Sequence, residues 1–326
     1  MKKFFMLTLL AAMSFSSWSS DNYREYFKLP SSKEHYVSPT KYNWSKVAAS
    51  LTKDCQSDYD KLYSIYSWIT RNIEYDTSYS IYTADDCFDN RKGVCQAYSE
   101  LFYRIAEAAG LHVEIIWGES RTNKYGRHAW LFGYTRENHG ILIDATWGAG
   151  SVNGNTFRFR ENHDVWFNVD PEWMIVSHLP DEVSYQLLET PMTKEDFHKI
   201  TLDWTAILAY EYGMDTHQLY QSLRKHKLAL PYFYSGGEGI IKLTDIPRQE
   251  SLQLGKQYIF KIEALQPCVL VLIHGNNWFS AKSGEWVDEG DGVYSICYTP
   301  DAAGELYLSI MNNQGTASRL VSYKVQ

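Results

Sequence analysis

After its first fifteen residues, this 326-residue chain has no run approaching the ~20 consecutive apolar residues of a membrane-spanning helix. It has no excess of basic residues either. Its 31 Lys and Arg stand against 39 Asp and Glu, for a formal net charge of -8 with the two signs interspersed. No basic stripe is therefore present to neutralise a phosphate backbone, and nucleic acid is not an expected partner. Metal-binding patterns are missing as well: there is no C-x-x-C pair and no H-x-x-x-H, and Cys87, Cys95, His112 and His128 lack ligand spacing. No acidic loop of EF-hand type occurs. No metal and no cofactor are expected. Tandem repeats of fixed period and low-complexity tracts are absent, and the composition, 44% hydrophobic and 21% charged, is that of an ordinary globular protein. Aromatic residues are the one excess, at 15%.

The length exceeds what one compact core usually covers, and two domains are expected. Residues 1–19 read as a signal peptide: Lys2 and Lys3, an apolar run from Phe4 to Phe15, then small residues around Ser17 and Ser19. The mature chain is expected to begin near Ser20 or Asp21, secreted or periplasmic. The apolar run is too short to span comfortably, and no Cys near the cleavage point offers a lipid anchor, so no stable membrane anchor is expected after signal removal. Five cysteines in an exported chain leave at least one thiol over. Cys55 and Cys87 flank a helical segment, while Cys268 and Cys297 sit in strand-like runs. Sequence settles neither pairing, since bridging depends on Cα separation. If both form, Cys95 is the remainder.

Helical spacing of Tyr59, Leu62, Tyr63, Ile65, Tyr66 and Ile69 predicts an amphipathic helix to Asn72, behind Ser57 and Asp58 as candidate N-caps. DDCFDNRK (85–92) reads as polar and irregular. A second helix is expected from Cys95 to Ala109, with Tyr98, Leu101, Phe102 and Ile105 on one face and Gly110 as its stop. The period then changes: LHVEIIWG, RHAWLFGYT and GILIDATW are short β-rich runs expected to lie as neighbouring antiparallel strands. Residues 153–180 read as aromatic and irregular, QLLETPMTKEDF as a loop entering a short helix, and 201–228 as a helical connector. From 229 to 326, GIIKLTDI, KQYIFKIEAL, CVLVLIHG, GVYSICYTP, ELYLSIM and SRLVSYKV suit a β-sandwich of immunoglobulin-like type.

A thiol is a useful nucleophile once it is a thiolate, and a helix start favours that form by presenting unpaired N–H groups and a positive dipole end. Cys95 has that position, with Arg91 and Lys92 just upstream. Strand alternation puts His128, Trp130, Phe132 and Tyr134 on one face, and Leu142, Asp144 and Thr146 together on the next run. A hairpin through TRENHG centred near Arg136 sets His128 directly opposite Asp144; a centre further on offsets them by about one to three residues. A carboxylate within reach of an imidazole fixes its tautomer, and the imidazole then takes the thiol proton. Taken singly, Cys95 as core filler, His128 as a satisfied core histidine and Asp144 as a strand-end residue are the simpler readings. An ordered Cys, His, Asp set on a helix start and two neighbouring strands is rarely a product of chance.

KGVCQAYSELFYRIAEAAGL, RHAWLFGY and LIDATWGAG, with IYSWITRNIEYD upstream, resemble the core of the transglutaminase-like superfamily, over roughly Ser57 to Phe197. DPEWMIVSHLPDEVSYQLLETPMTKEDF is similar to the branch with an immunoglobulin-like C-terminal domain, related to the kyphoscoliosis peptidase group. The resemblance implies an α+β, papain-like core over 20–200, with a Cys-bearing helix packed on an antiparallel sheet bearing His and Asp. It implies Cys95 as nucleophile, His128 as base and Asp144 as orienting carboxylate. The Cys95 backbone N–H is the natural oxyanion donor, with Trp68 or Tyr75 as the second. Gln96, Tyr98 and Trp147 are candidates for the cleft wall, or equally packing residues. The expected chemistry is acyl transfer on a peptide or protein substrate, hydrolysis ahead of glutamine cross-linking. The rival of another class is a non-catalytic binding or scaffolding protein. The aromatic-rich C-terminal domain is a candidate protein or glycan contact, although rings filling the faces of a small sandwich explain it more simply.

Overall fold

A computed structural model describes residues 37–121, 126–136, 140–160, 163–200, 204–224, 230–237, 239–311 and 315–326. The expected signal peptide and the centre of the TRENHG loop lie outside these residues. Among the described residues no helix is long and apolar enough to cross a membrane.

The chain begins with helix α1 (Ser45–Thr52) and then α2 (Asp58–Asn72). The start of α2 is fixed locally: Ser57 Oγ accepts from the Asp60 N–H while the Asp60 carboxylate accepts from the Ser57 N–H, a reciprocal capping box. Its buried stripe is Leu62, Ile65, Tyr66 and Ile69. A short strand β1 (Glu74–Tyr75) follows, then α3 (Ala84–Asn90), β2 (Lys92–Gly93) and α4 (Cys95–Ala108). The segment read as irregular is thus a helix. Thr83 caps it by accepting from the Asp86 N–H, and Arg91 ends it in the left-handed region at φ 53°. Polarity hid it: only one side, with Cys87 and Ala84, is buried. Helix α4 buries Ala97, Tyr98, Leu101, Phe102, Ile105 and Ala106, and Gly110, at φ 73°, turns the chain back.

Strands β3 (His112–Ser120), β4 (Arg127–Tyr134) and β5 (Gly140–Ile143) are antiparallel neighbours. The GILIDATW run leaves the sheet at Asp144 and becomes helix α5 (Ala145–Ala149), so Asp144 is a helix cap and not a strand residue. Residues 153–180, expected to be irregular, carry hairpin β6 (Gly150–Asn153) and β7 (Thr156–Phe159), then α6 (Pro171–Ser177) and β8 (His178–Pro180). Strand β8 pairs with β3 and completes the sheet order β5-β4-β3-β8. Gly118 permits that closure: a Cβ there would stand 2.1 Å from the Leu179 carbonyl oxygen.

One face of this sheet, through Ala129, Leu131, Ile115 and Ile143, joins α2 and α4 in one hydrophobic cluster. The other, through Trp130, Phe132 and Ile116, belongs to a second cluster containing Trp166, Trp173 and Val176. After α7 (Lys194–Lys199) come α8 (Trp204–Glu211) and α9 (Thr216–Arg224). The expected connector is core material here: Ala206, Leu208, Ala209 and Tyr212 are fully buried, and the second cluster runs through them into the C-terminal strands. Those strands are β9 (Tyr232–Phe233), β10 (Ile241–Asp245), β11 (Ser251–Leu252), β12 (Tyr258–Ala264), β13 (Val269–His274), β14 (Asn277–Ser280), β15 (Val287–Gly290), β16 (Val293–Tyr298), β17 (Gly304–Met311) and β18 (Ala317–Val325). They form sheets ordered β10-β12-β16-β15 and β11-β18-β17-β13-β14, with β9 on β18. Phe260 of one sheet meets Tyr323 of the other edge-on at 5.7 Å, inside a β-sandwich.

All five cysteines are free thiols. Cys87 is buried and Cys55 part-buried; Cys268 directly precedes β13 of one sheet, while Cys297 is exposed on β16 of the other. Neither candidate bridge, Cys55 with Cys87 or Cys268 with Cys297, is formed. Leftover-thiol arithmetic therefore does not single out Cys95.

Replacing Gly118 with Ala should pry β8 from β3 and cost about 1–3 kcal/mol of stability, read as a lower denaturation midpoint. An unchanged midpoint would mean that the β3–β8 closure is not sterically tight.

Candidate active site

Val94, in extended conformation, gives α4 no side-chain cap, so the first-turn amides of a 14-residue helix stand at Cys95 without a competing side-chain acceptor. Cys95 itself is half-buried. His128 lies at the start of β4 and is 3% exposed; Asp144 is wholly buried. His128 Nε2 lies 2.8 Å from Asp144 Oδ2, and the Cys95 thiol hydrogen-bonds to the same imidazole. The pairing of Phe132 with Leu142 extrapolates Asp144 to a position opposite Trp130, two residues along from His128 and on the same face. That is the offset of a hairpin centred beyond Arg136. The sharp turn into α5 then brings the carboxylate back to the imidazole.

Asp144 is satisfied on both oxygens. Oδ1 accepts the backbone N–H groups of Thr146 and Trp147, each at 2.9 Å, while Oδ2 accepts from His128 and, at 3.0 Å, from His178 Nε2. Burial alone would raise this carboxyl, but the adjacent His128 and the two imidazole hydrogen bonds hold it well below the usual carboxylate range. Burial would likewise lower His128; the charges of Asp144 and Cys95 outweigh it and raise the imidazole to about 10. For Cys95, burial pushes the thiol up, while His128, by charge and hydrogen bond, and the Ala129 N–H pull harder, leaving it below the ordinary thiol value. The favoured state is a thiolate facing an imidazolium. Because Asp144 accepts the Nε2–H, the Nδ1 side of His128 is the one available to the sulfur.

The other predicted residues divide. Tyr75 pairs in register with Gly93, two residues before the thiol. Its hydroxyl is pushed up, first by burial and then by the charges of Cys95 and Tyr79, so the thiolate's charge is felt at the phenol. Trp147 packs tilted against His128 at 6.1 Å and His178 at 4.5 Å between ring centroids, screening the imidazoles. Trp68 instead packs tilted against Phe88 under the Arg91 guanidinium. Gln96 is committed to Glu100 at 2.9 Å. Tyr98 is wholly buried, its hydroxyl donating to the Ile73 carbonyl, so it packs the core and lines no cleft. Arg91 is taken up by Phe88 and Trp68, and Lys92 by Glu74 at 3.5 Å, so the charge expected from them is not directed at the thiol.

Sequence reasoning did not single out His178, although it lies within the DPEWMIVSHLP stretch quoted above; the β3–β8 pairing carries it to Asp144. His128, Asp144 and His178 bring three ligand-type atoms within 4.8 Å of one another. Both imidazoles already give their Nε2–H to the carboxylate, so these atoms would have to surrender two protons to take a cation.

Residues 45–171 match the model of the transglutaminase-like superfamily, and the chain therefore carries a transglutaminase-like domain. It is 28% identical over 169 residues to kyphoscoliosis peptidase of Mus musculus, covering 47% of this chain and 25% of the relative. To hillarin of Drosophila melanogaster it is 25% identical, covering 52% and 24%. These matches span about a quarter of the length of the curated relatives. Among solved structures it is similar to a candidate cysteine protease from Cytophaga hutchinsonii, 25% identical with TM-score 0.30, over 33% of this chain and 40% of that one. It is also similar to a TGase, 17% identical with TM-score 0.28, over 43% and 40%.

Alkylation of Cys95 should remain fast below the ordinary thiol range, because its proton leaves early, and His128→Ala should shift that ionisation upward. A wild-type rate that tracks an unperturbed thiol across pH would contradict the ion pair.

Proposed function

We propose that this chain, through its transglutaminase-like domain, is an acyl-transfer enzyme that opens amide bonds of peptide or protein substrates through a thioester on Cys95, with water as the final acceptor. The observation that carries this reading is the half-buried thiol at a helix start, hydrogen-bonded to an imidazole whose other nitrogen lies 2.8 Å from a wholly buried carboxylate.

The chemistry follows from the charge state. The Cys95 thiolate adds to the carbonyl carbon, and the oxygen that becomes negative falls beside the Cys95 backbone N–H and the Tyr75 hydroxyl. The His128 imidazolium gives its proton to the departing amine, leaving the acyl group on sulfur. Water then adds while His128 takes its proton; the C–S bond breaks, the acid leaves and the thiolate returns. Asp144 keeps His128 in one tautomer throughout and stays ionised. The relatives named as peptidases support hydrolysis. The basic then apolar run from Lys2 to Phe15 supports action outside the cytoplasm.

Offered a peptide library with and without a tagged primary amine, the protein should cleave peptides, and Cys95→Ala should not. Tag incorporation in place of cleavage would make it a transglutaminase, and neither activity above the variant would sink the enzyme reading in favour of a scaffold. Tyr75→Phe should lower kcat by about 10²-fold, as loss of one oxyanion donor does; full activity would remove Tyr75 from that role.

A further inference from the structure

His178 opens β8, is wholly buried, and points Nε2 at the Asp144 oxygen that His128 also uses. Its Nδ1 lies 2.7 Å from Ser177 Oγ. An ionised carboxylate only accepts, so the ring proton sits on Nε2, and Nδ1 accepts from the serine hydroxyl. The titratable groups facing His178 are Asp144 and His128; the rest of its surroundings include the Trp130, Trp147 and Trp166 rings. Burial, first, and the positive His128 lower it to about 4 against the pull of Asp144, so the ring is neutral across the working range. A packing residue in such an aromatic wall would be apolar. An unpaired imidazole there would cost about 1–3 kcal/mol, and this one spends both nitrogens.

We propose that His178 is a positioning residue of the acyl-transfer site: its Nε2–H occupies one lone pair of Asp144 Oδ2 and so fixes the other for His128, which keeps Nδ1 of His128 turned to Cys95. The role rests on the acyl-transfer reading given above and extends the functional unit past residue 171, where the family match ends. The backbone amides on Oδ1 hold one oxygen of Asp144 but leave the choice of lone pair on the other open. Among the described residues, only His178 and His128 donate to that second oxygen. Because β8 depends on β3 and α6 packs on α9, the segment after the matched region becomes part of the site.

The test compares wild type, His178→Phe and His178→Gln in the full chain, by Cys95 alkylation at neutral pH, by kcat and KM on a cleaved peptide, and by NMR of the ring N–H protons. Phe should lower alkylation and kcat by about 10²-fold, the scale of a small misalignment, with KM unchanged. Gln, which keeps an N–H donor, should restore most of the loss. The His178 Nε2–H should give a slowly exchanging downfield imidazole proton beside the ring protons of the His128 imidazolium, and His178→Gln should lose that signal alone. Full activity in the Phe variant, or an equal loss in the Gln variant at wild-type thermal stability, would overturn the positioning role. If Phe does not fold, Gln and the proton spectrum decide: a wild-type downfield spectrum left unchanged by His178→Gln refutes the shared carboxylate. A wild-type Cys95 no more reactive than an unperturbed thiol would instead overturn the acyl-transfer reading itself.

Discussion

A carboxylate with no exposed surface, and with imidazole and backbone N–H groups as its partners, is the constraint on which the site depends. Asp144 is ionised inside the protein because two backbone amides and two imidazoles meet its oxygens. An unpaired buried charge would cost several kcal/mol. The environment must therefore deliver every donor, and each comes from a different turn of the fold: the start of α5, the start of β4, and the first residue of β8. Once the carboxylate is negative, the charge on His128 follows, and from it the thiolate on Cys95.

That chain of charges explains where the site lies. The sheet separates two hydrophobic clusters, one holding α2 and α4, the other holding α6, α8 and the sandwich. Cys95 arrives with the first cluster and His128 alternates toward the second, so they meet only at the end of the sheet. There Ala129, whose side chain faces the helices, lends its N–H to the sulfur. The indole rings of Trp130, Trp147 and Trp166, all on the side of the second cluster, keep bulk water from the carboxylate while leaving the thiol partly exposed.

The C-terminal half is tied to this arrangement by packing. Arg160 donates from Nε to the Trp147 carbonyl and pairs through its guanidinium with the nearly buried Glu211 of α8. Tyr212, just after that helix, donates its hydroxyl to the Tyr234 carbonyl, and its own carbonyl accepts from the Leu243 N–H. A short polar path therefore runs from the wall of the site to the first sandwich strands, through a helix whose own sequence suggested only a connector.

Local signals in the sequence determined much of this. Helical spacing and the Ser57 cap place α2, alternation places β3 and β4, and Cys95 at a helix start with His128 at a strand start is legible because both depend on periodicities of 3.6 and 2. The polar helix α3 was not legible, since one thin buried side gives little periodic signal. Tertiary structure alone decided three things: that Asp144 leaves the strand to cap α5, that Tyr75 feels the charge of Cys95 while Trp68 packs on Phe88, and that His178 joins the carboxylate. Each depends on contacts between residues tens of positions apart, where no local period applies and burial of the shared charge selects the geometry.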